Sequence, residues 1–285
     1  MRIALLSLLM IGVALALQAF YLEPSRLTVK TYNLPIAGLP PLRIAALTDL
    51  HVGAPFITRA KLQQVVAATN AQHPDLIVLL GDYVIQGVVG GSFVEPRDIA
   101  SDLRALQAPL GVYGVLGNHD HIHNGKKISQ ALSGAGIHML DHHTQRLEWR
   151  GQPFWLMGIG DALKDPSDLP TLLAQVNDAA PIIALTHNPD VFVDLSPRVN
   201  LLLAGHTHGG QCAFPLLGRP IVPSSYGERY AIGHVYEKGH HLFVSPGIGT
   251  SILPVRFRVT PEISLIQFKQ EQLNGGRGIK KSHDG

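Results

Sequence analysis

Apolar and polar positions along this chain follow two periods, and its reactive side chains sit where the apolar runs stop. Five apolar runs are strand-like in length and composition: Arg43–Leu47, Leu76–Leu80, Val112–Leu116, Ile182–Thr186 and Leu201–Ala204. Between the first two, Thr58–Asn70 carries Leu62, Val65 and Val66 at helical spacing, with Thr58 placed as an N-cap. Pro96–Leu106 repeats that pattern with Ile99, Leu103 and Leu106. Strand and helix therefore alternate through the first half, as in an α/β fold. Arg26–Tyr32 alternates polar and apolar like a half-buried strand. From Asp141 to Ile159 the pattern turns to short strands, among them Phe154–Ile159, and strands are again expected at His241–Ser245 and Arg256–Phe268. Two sheets with helices outside fit this order.

The first residues obey a different rule. Ile3–Leu22 is apolar, broken only by Ser7, Gly12 and Gln18. At about 1.5 Å per residue a helix of that length reaches roughly 30 Å, the thickness of a bilayer's hydrocarbon core. A cleaved signal peptide is the competing reading, with Ala14-Leu15-Ala16 as its cleavage motif. Such peptides have apolar cores of about 7–15 residues, which this run exceeds, so an anchor is the better match. Arg2 precedes the run and Arg26 and Lys30 follow it, too even a balance to set an orientation. The expected division is an anchor at 1–23, one domain at 24–269 and a flexible Gly-rich tail at 270–285.

Composition narrows the function. A chain of 285 residues, 46% hydrophobic, can bury one large core. A formal charge of +2, without a basic stripe interleaved with aromatics, argues against nucleic acid as a partner. Cys212 is the single cysteine, which rules out an intramolecular disulfide.

Each strand-like run ends on a short polar cluster: Asp49-Leu50-His51, Gly81-Asp82, Gly117-Asn118-His119-Asp120, His187-Asn188 and Gly205-His206-Thr207-His208. Taken singly, these have ordinary structural readings as helix caps, turns and satisfied histidines. Together they bring carboxylate, amide and imidazole without thiolate, a donor set for two divalent metals side by side. Open α/β folds gather their sites at the carboxyl ends of strands, where five distant segments can converge. If the backbone is extended there, Asp49 and His51 point the same way, as do His206 and His208. Within the third cluster, Asn118 offers a neutral oxygen, His119 an acid/base and Asp120 an orienting carboxylate. Arg256 and Arg229 are candidates for holding a substrate phosphate.

The five motifs, D-x-H, G-D, G-N-H-D, H and G-H-x-H in this order from Asp49 to His208, resemble those of the calcineurin-like metallophosphoesterase superfamily. That resemblance implies an αββα sandwich of two mixed sheets flanked by helices. It further implies one metal on Asp49, His51, Asp82 and His208, and another on Asp82, Asn118, His187 and His206, with Asp82 bridging. His119 is implied to act at the leaving group with Asp120 close by. The N-terminal run followed by Glu23-Pro24, the segment Gly205–Gln211 and the segment Phe243–Ser251 look like the membrane-associated bacterial branch. This branch includes phosphodiesterases and enzymes that split the pyrophosphate of UDP-2,3-diacylglucosamine in lipid A synthesis. A single-pass protein of the bacterial inner membrane is the corresponding expectation.

The chemistry is coherent with that resemblance. Two divalent cations neutralise an anionic phosphoryl group and align in-line attack by activated water. Imidazoles with carboxylates and an amide suit manganese, with zinc or iron as alternatives. The expected substrate is a phosphodiester or pyrophosphate, of a lipid or a nucleotide-linked lipid precursor. Soluble nucleotides or wall polymers hydrolysed by a tethered enzyme are the alternative. A non-catalytic scaffold fits less well, because no motif position is missing.

Overall fold

Alternate residues of the central strands face two different partners, and that division sets the architecture. The computed structural model describes residues 1–268 apart from 54 and 86; the tail expected at 270–285 lies outside the described residues. One sheet contains β1 (Thr28–Leu34), β2 (Arg43–Leu47), β3 (Leu76–Leu80), β4 (Val112–Val115), β5 (His138–Met139) and β12 (Glu262–Phe268). Its order is β1-β12-β2-β3-β4-β5. The other contains β6 (Thr144–Trp149), β7 (Gln152–Gly158), β8 (Ile182–Leu185), β9 (Leu201–Ala204), β10 (Gly233–Glu237) and β11 (His240–Val244), in the order β10-β11-β9-β8-β7-β6. Strands β2 to β5 run parallel, as do β7, β8, β9 and β11, while β12 lies antiparallel to β2.

Ile44, Ala46, Leu76, Val78 and Leu80 meet Phe154, Leu156, Ile183, Leu185 and Leu203 between the two sheets. The intervening residues Ala45, Leu47, Ile77 and Leu79 turn outward onto helices. Those helices are α3 (Arg59–Asn70), α4 (Pro96–Leu103) and α5 (Asn118–Gly134), packed through Leu62, Val65, Ile99, Leu103, Ile128 and Leu132. On the far side, Met157, Ile182, Ala184 and Leu202 are covered by Leu172 of α6 (Leu169–Ala174) and by Phe192. The fold is the expected αββα sandwich of two mixed sheets. Being apolar on both faces, its central strands show no period-two polar signal. Thr58 caps α3 by accepting from the Lys61 N–H at 3.2 Å.

The stretch expected as one strand from Arg256 is a strand only from Glu262. Residues 246–259 instead fold around the Arg256 guanidinium, which donates to the Gly249, Pro246 and Val259 carbonyls. Pro261, which has no N–H to give a ladder, stands just before the strand.

Helix α1 (Arg2–Leu17) passes through one wider turn, Gln18–Leu22, into α2 (Glu23–Ser25), a continuous apolar helix long enough to cross a bilayer. No flexible linker separates it from the sandwich. The Arg256 N–H donates to the Ala19 carbonyl at 2.9 Å, and buried Glu23 accepts from the Arg258 N–H at 2.8 Å and the Thr260 hydroxyl at 3.2 Å.

Truncating the inter-sheet core should be costly. Phe154→Ala is expected to lower unfolding stability by about 3–5 kcal/mol, measured by chemical denaturation of the detergent-solubilised protein. A loss below about 1 kcal/mol would contradict a shared core at this position.

Candidate metal centre

The carboxyl ends of five parallel strands meet at one edge of the sandwich. Strand β2 delivers Asp49 and His51, β3 delivers Asp82, and β4 leads through Gly117 into Asn118 and His119 at the start of α5. From the other sheet, β8 delivers His187 and β9 delivers His206 and His208. Backbone bonds tie neighbouring strand ends, and one loop from the second sheet, into a single edge. The Asp49 N–H donates to Gly81 at 3.0 Å, the His51 N–H to Asp82 at 3.0 Å, and the Ile248 N–H, from the loop that leaves β11, to Thr48 at 3.1 Å.

Asp49 and His51 do not share a direction through an extended backbone, and neither do His206 and His208. These four and Asp82 all lie in the left-handed region, with φ of 52°, 42°, 70°, 51° and 57° respectively. Each such residue costs about 1 kcal/mol, so five together approach the lower end of a domain's net stability of roughly 5–15 kcal/mol. The conformation persists because hydrogen bonds hold it, among them the His206 N–H donating to Asp49 Oδ2 at 3.1 Å. Close approach is also required at Gly117 and Gly205. A Cβ at Gly117 would fall 2.2 Å from Asp82 Oδ1, and one at Gly205 would fall 2.0 Å from Thr48 Oγ1.

Asp82 Oδ2 is central, 3.5 Å from His51 Nε2, 3.2 Å from His187 Nε2 and 4.0 Å from His119 Nε2. Asp49 Oδ1 is 3.2 Å from His208 Nε2 and 4.0 Å from His187 Nε2. His51 and His208 bring their Nε2 atoms within 3.2 Å of each other, and His206 Nδ1 stands 3.2 Å from His187 Nε2. His187 Nδ1 is 2.7 Å from the Leu80 carbonyl, which orients the ring with Nε2 toward the carboxylates. Asp49, His51, Asp82, His187 and His208 are buried, and His206 is 9% exposed.

Burial shapes the charge of every group here. It keeps His51 neutral, lowered to about 4, and His206 neutral, lowered to about 3. Burial, joined by the Asp82 charge, pushes Asp49 up to about 6, with His187 pulling the other way. Burial opposes charge on His187 as well, but the charge and hydrogen bond of Asp82, with Asp49, override it and raise His187 to about 10.

Metals fit these residues. Asp49 Oδ1 and Asn118 Oδ1 are buried without a hydrogen-bond partner, a state that costs about 1–3 kcal/mol per group unless something compensates. Two groups have ligand atoms within 4.8 Å of one another: Asp49, His51 and His208, and Asp49, Asp82 and His187. Asp49 thus belongs to both groups, whereas the resemblance implied it for one.

Other expected site residues are placed elsewhere. Asp120 was expected close to His119 as its orienting carboxylate, but it is fully buried behind the site. Its carboxylate accepts from the N–H groups of Asp82 (2.8 Å), Tyr83 (2.9 Å), Val84 (3.2 Å) and Gly117 (2.9 Å), so it fixes the loop that carries Asp82. Arg256, expected to hold substrate phosphate, is also fully buried, its guanidinium spent on the carbonyls named above. Arg229 is exposed and paired with Glu237. Asp161 was missed. It is buried, its Oδ2 has no partner, and His187 lowers its pKa against the larger effect of burial, which raises it. Its signal was present: the apolar run Phe154–Ile159 ends on Gly160-Asp161, the same form as Gly81-Asp82.

Known proteins share this arrangement of sequence. The chain is 30% identical over 262 residues to the uncharacterized metallophosphoesterase YkuE of Bacillus subtilis, covering 90% of this chain and 89% of that one. It is 32% identical over 231 residues to the phosphodiesterase YaeI of Escherichia coli, covering 80% of this chain and 82% of that one. A transmembrane protein with a metallophosphoesterase domain from Danio rerio is 28% identical over 258 residues, covering 84% of this chain and 56% of that one. The calcineurin-like phosphoesterase profile matches residues 42–210, a span that includes every strand end described above, and the chain belongs to that family of metal-dependent phosphoesterases.

Proposed function

We propose that this protein is a membrane-anchored phosphodiesterase or pyrophosphatase with two metals, its substrate carried by a lipid or a nucleotide-linked lipid precursor such as UDP-2,3-diacylglucosamine. The observation that carries the two-metal part is Asp82 Oδ2, set between His51 Nε2 and His187 Nε2. The lipid part rests on the apolar helix joined to the domain through Ala19 and Glu23, and on the membrane-associated branch that the chain resembles.

Asp49, His51, Asp82 and His208 would hold one cation, and Asp82, Asn118, His187 and His206 the other; manganese suits these ligands best, with zinc or iron as alternatives. When bound, the cations supply Lewis-acid neutralisation of the phosphoryl oxygens and a low-pKa water. The protein's own groups do the rest. His119, with 19% of its side chain exposed, reaches the open side of the site and protonates the leaving oxygen through its imidazole. Its backbone N–H donates to Asp82 Oδ1 at 2.9 Å, which fixes the acid relative to the central carboxylate. Asp120 holds the 82–84 loop, and the Leu80 carbonyl holds His187.

Asp82→Asn should abolish turnover of bis(p-nitrophenyl) phosphate and weaken metal binding while the fold, followed by circular dichroism, is kept. Wild-type turnover in metal-depleted variant would overturn the two-metal reading. His119→Ala should keep metal content, read by elemental analysis, yet lose about 10²–10⁴-fold in turnover. Loss of metal in that variant would make His119 a ligand instead.

Metal loading should also move protons. His187 is raised to about 10 in the metal-free protein, so below that pH its Nε2 carries a proton that a cation must displace. Calorimetry in two buffers of different ionisation heat should show about one proton released from this residue near neutral pH, with affinity rising as pH rises. No dependence on buffer would contradict a protonated His187.

A further inference from the structure

We propose that three apolar loop tips around the metal site form a second membrane contact, seated in the interfacial layer of the bilayer that α1 enters. This rests on the reading of α1 as a membrane span. The tips are Val89, the pair Leu216 and Leu217 with Ile221 behind it, and the pair Ile252 and Leu253. Leu216 is fully exposed, Leu217 and Ile221 are each 76% exposed, Ile252 69% and Val89 61%. Single exposed apolar residues are ordinary on soluble surfaces. These differ in being tied to one another and to the end of the helix.

The ties can be followed bond by bond. The Val89 N–H donates to the Ile252 carbonyl at 3.0 Å. Gln211 and Ser251 exchange two hydrogen bonds, at 3.1 and 2.7 Å, which joins the loop after His208 to the one bearing Ile252. The Ala213 N–H donates to Phe257 at 2.9 Å, and the rings of Phe214 and Phe257 stack with centroids 5.5 Å apart. Arg256, beside Phe257, donates its N–H to Ala19 in the last turns of the apolar helix. All three loops therefore continue directly into the helix exit.

Each loop also continues from the metal centre. Val89 follows Asp82, Leu216 follows His208, and Ile252 follows Gly249, whose N–H donates to the Asp49 carbonyl at 2.6 Å. Charge agrees with a lipid partner. Residues 83–94, 208–227 and 246–261 contain no Asp or Glu, while Arg219 and Arg258 lie among them, and the adjoining carboxylates of Glu228 and Glu23 are taken up by the backbone N–H groups of Arg219 and Arg258. Apolar tips flanked by arginine suit an anionic bilayer surface. One consequence is orientation: with α1 and the loops both in the bilayer, the metal centre opens at headgroup level.

The test uses the full-length chain carrying Cys212→Ser, reconstituted in vesicles of phosphatidylethanolamine and phosphatidylglycerol. Nitroxide labels are placed through Leu217→Cys, Ile252→Cys, Leu9→Cys within α1 and Tyr236→Cys on β10, one at a time. Collision with oxygen, which concentrates in lipid, should exceed collision with a water-soluble nickel chelate several-fold at Leu9, Leu217 and Ile252, and the order should reverse at Tyr236. Retained hydrolysis of bis(p-nitrophenyl) phosphate in each variant certifies the fold and reports the metal chemistry separately. Lipid exposure at Leu9 with water exposure at Leu217 and Ile252 would overturn the second contact and leave the anchor and the enzyme standing. Water exposure at Leu9 as well would overturn anchor and contact together.

Discussion

Two carboxylates shut away from solvent impose the terms on which the rest of this structure is built. Asp49 and Asp82 are buried among the imidazoles of His51, His187, His206 and His208. Removing an anion from water costs several kcal/mol even after relaxation, and hydrogen bonds alone rarely return it. In the metal-free protein the charge of His187 offsets part of that cost. Divalent cations would offset far more, which accounts for a site in which most imidazoles are held neutral with their lone pairs free. Strong fields at short range then demand precise placement, and precise placement demands a rigid frame. Two sheets packed through an uninterrupted apolar layer provide it.

Strain at the strand ends belongs to the same account. Five residues at the site adopt left-handed backbone, and Asp and His tolerate this better than β-branched residues do. The sharp turns let a strand stop and its next side chain swing across the edge of the sandwich. They also leave N–H groups aimed inward, and Asp120 collects four of them. The carboxylate behind the site is thus as much a condition of the centre as those within it.

Most of the sandwich was legible because strands buried on both faces must be apolar throughout, and the polar break after each run is hard to explain by packing. Thr58, Leu62 and Val65 announced α3 by cap and spacing in the same way. What was not legible depends on contacts far apart in the chain. Asp120 looked like a partner for its neighbour His119, yet its bonds reach Asp82 and Tyr83. Arg256 looked available to substrate because an arginine side chain is ordinarily solvated, and only the tertiary fold shows the carbonyls that enclose it. Spacing also carries no information about φ, so the extended reading of Asp49-x-His51 could not be tested until the turn was seen.

His51 and His208 are 157 residues apart in sequence and 3.2 Å apart in space. During synthesis, everything up to β8 can emerge while Asp49, His51 and Asp82 still lack the imidazoles of the last cluster. On the proposed ligand set the centre would be complete only once β9 has packed into place, so high-affinity metal binding would follow much of the folding rather than precede it. Affinity among first-row metals follows an intrinsic order that a site of nitrogen and oxygen donors cannot by itself reverse. The ion such a site would take is therefore set by geometry and ligand type together with the metals available where its last ligands come together.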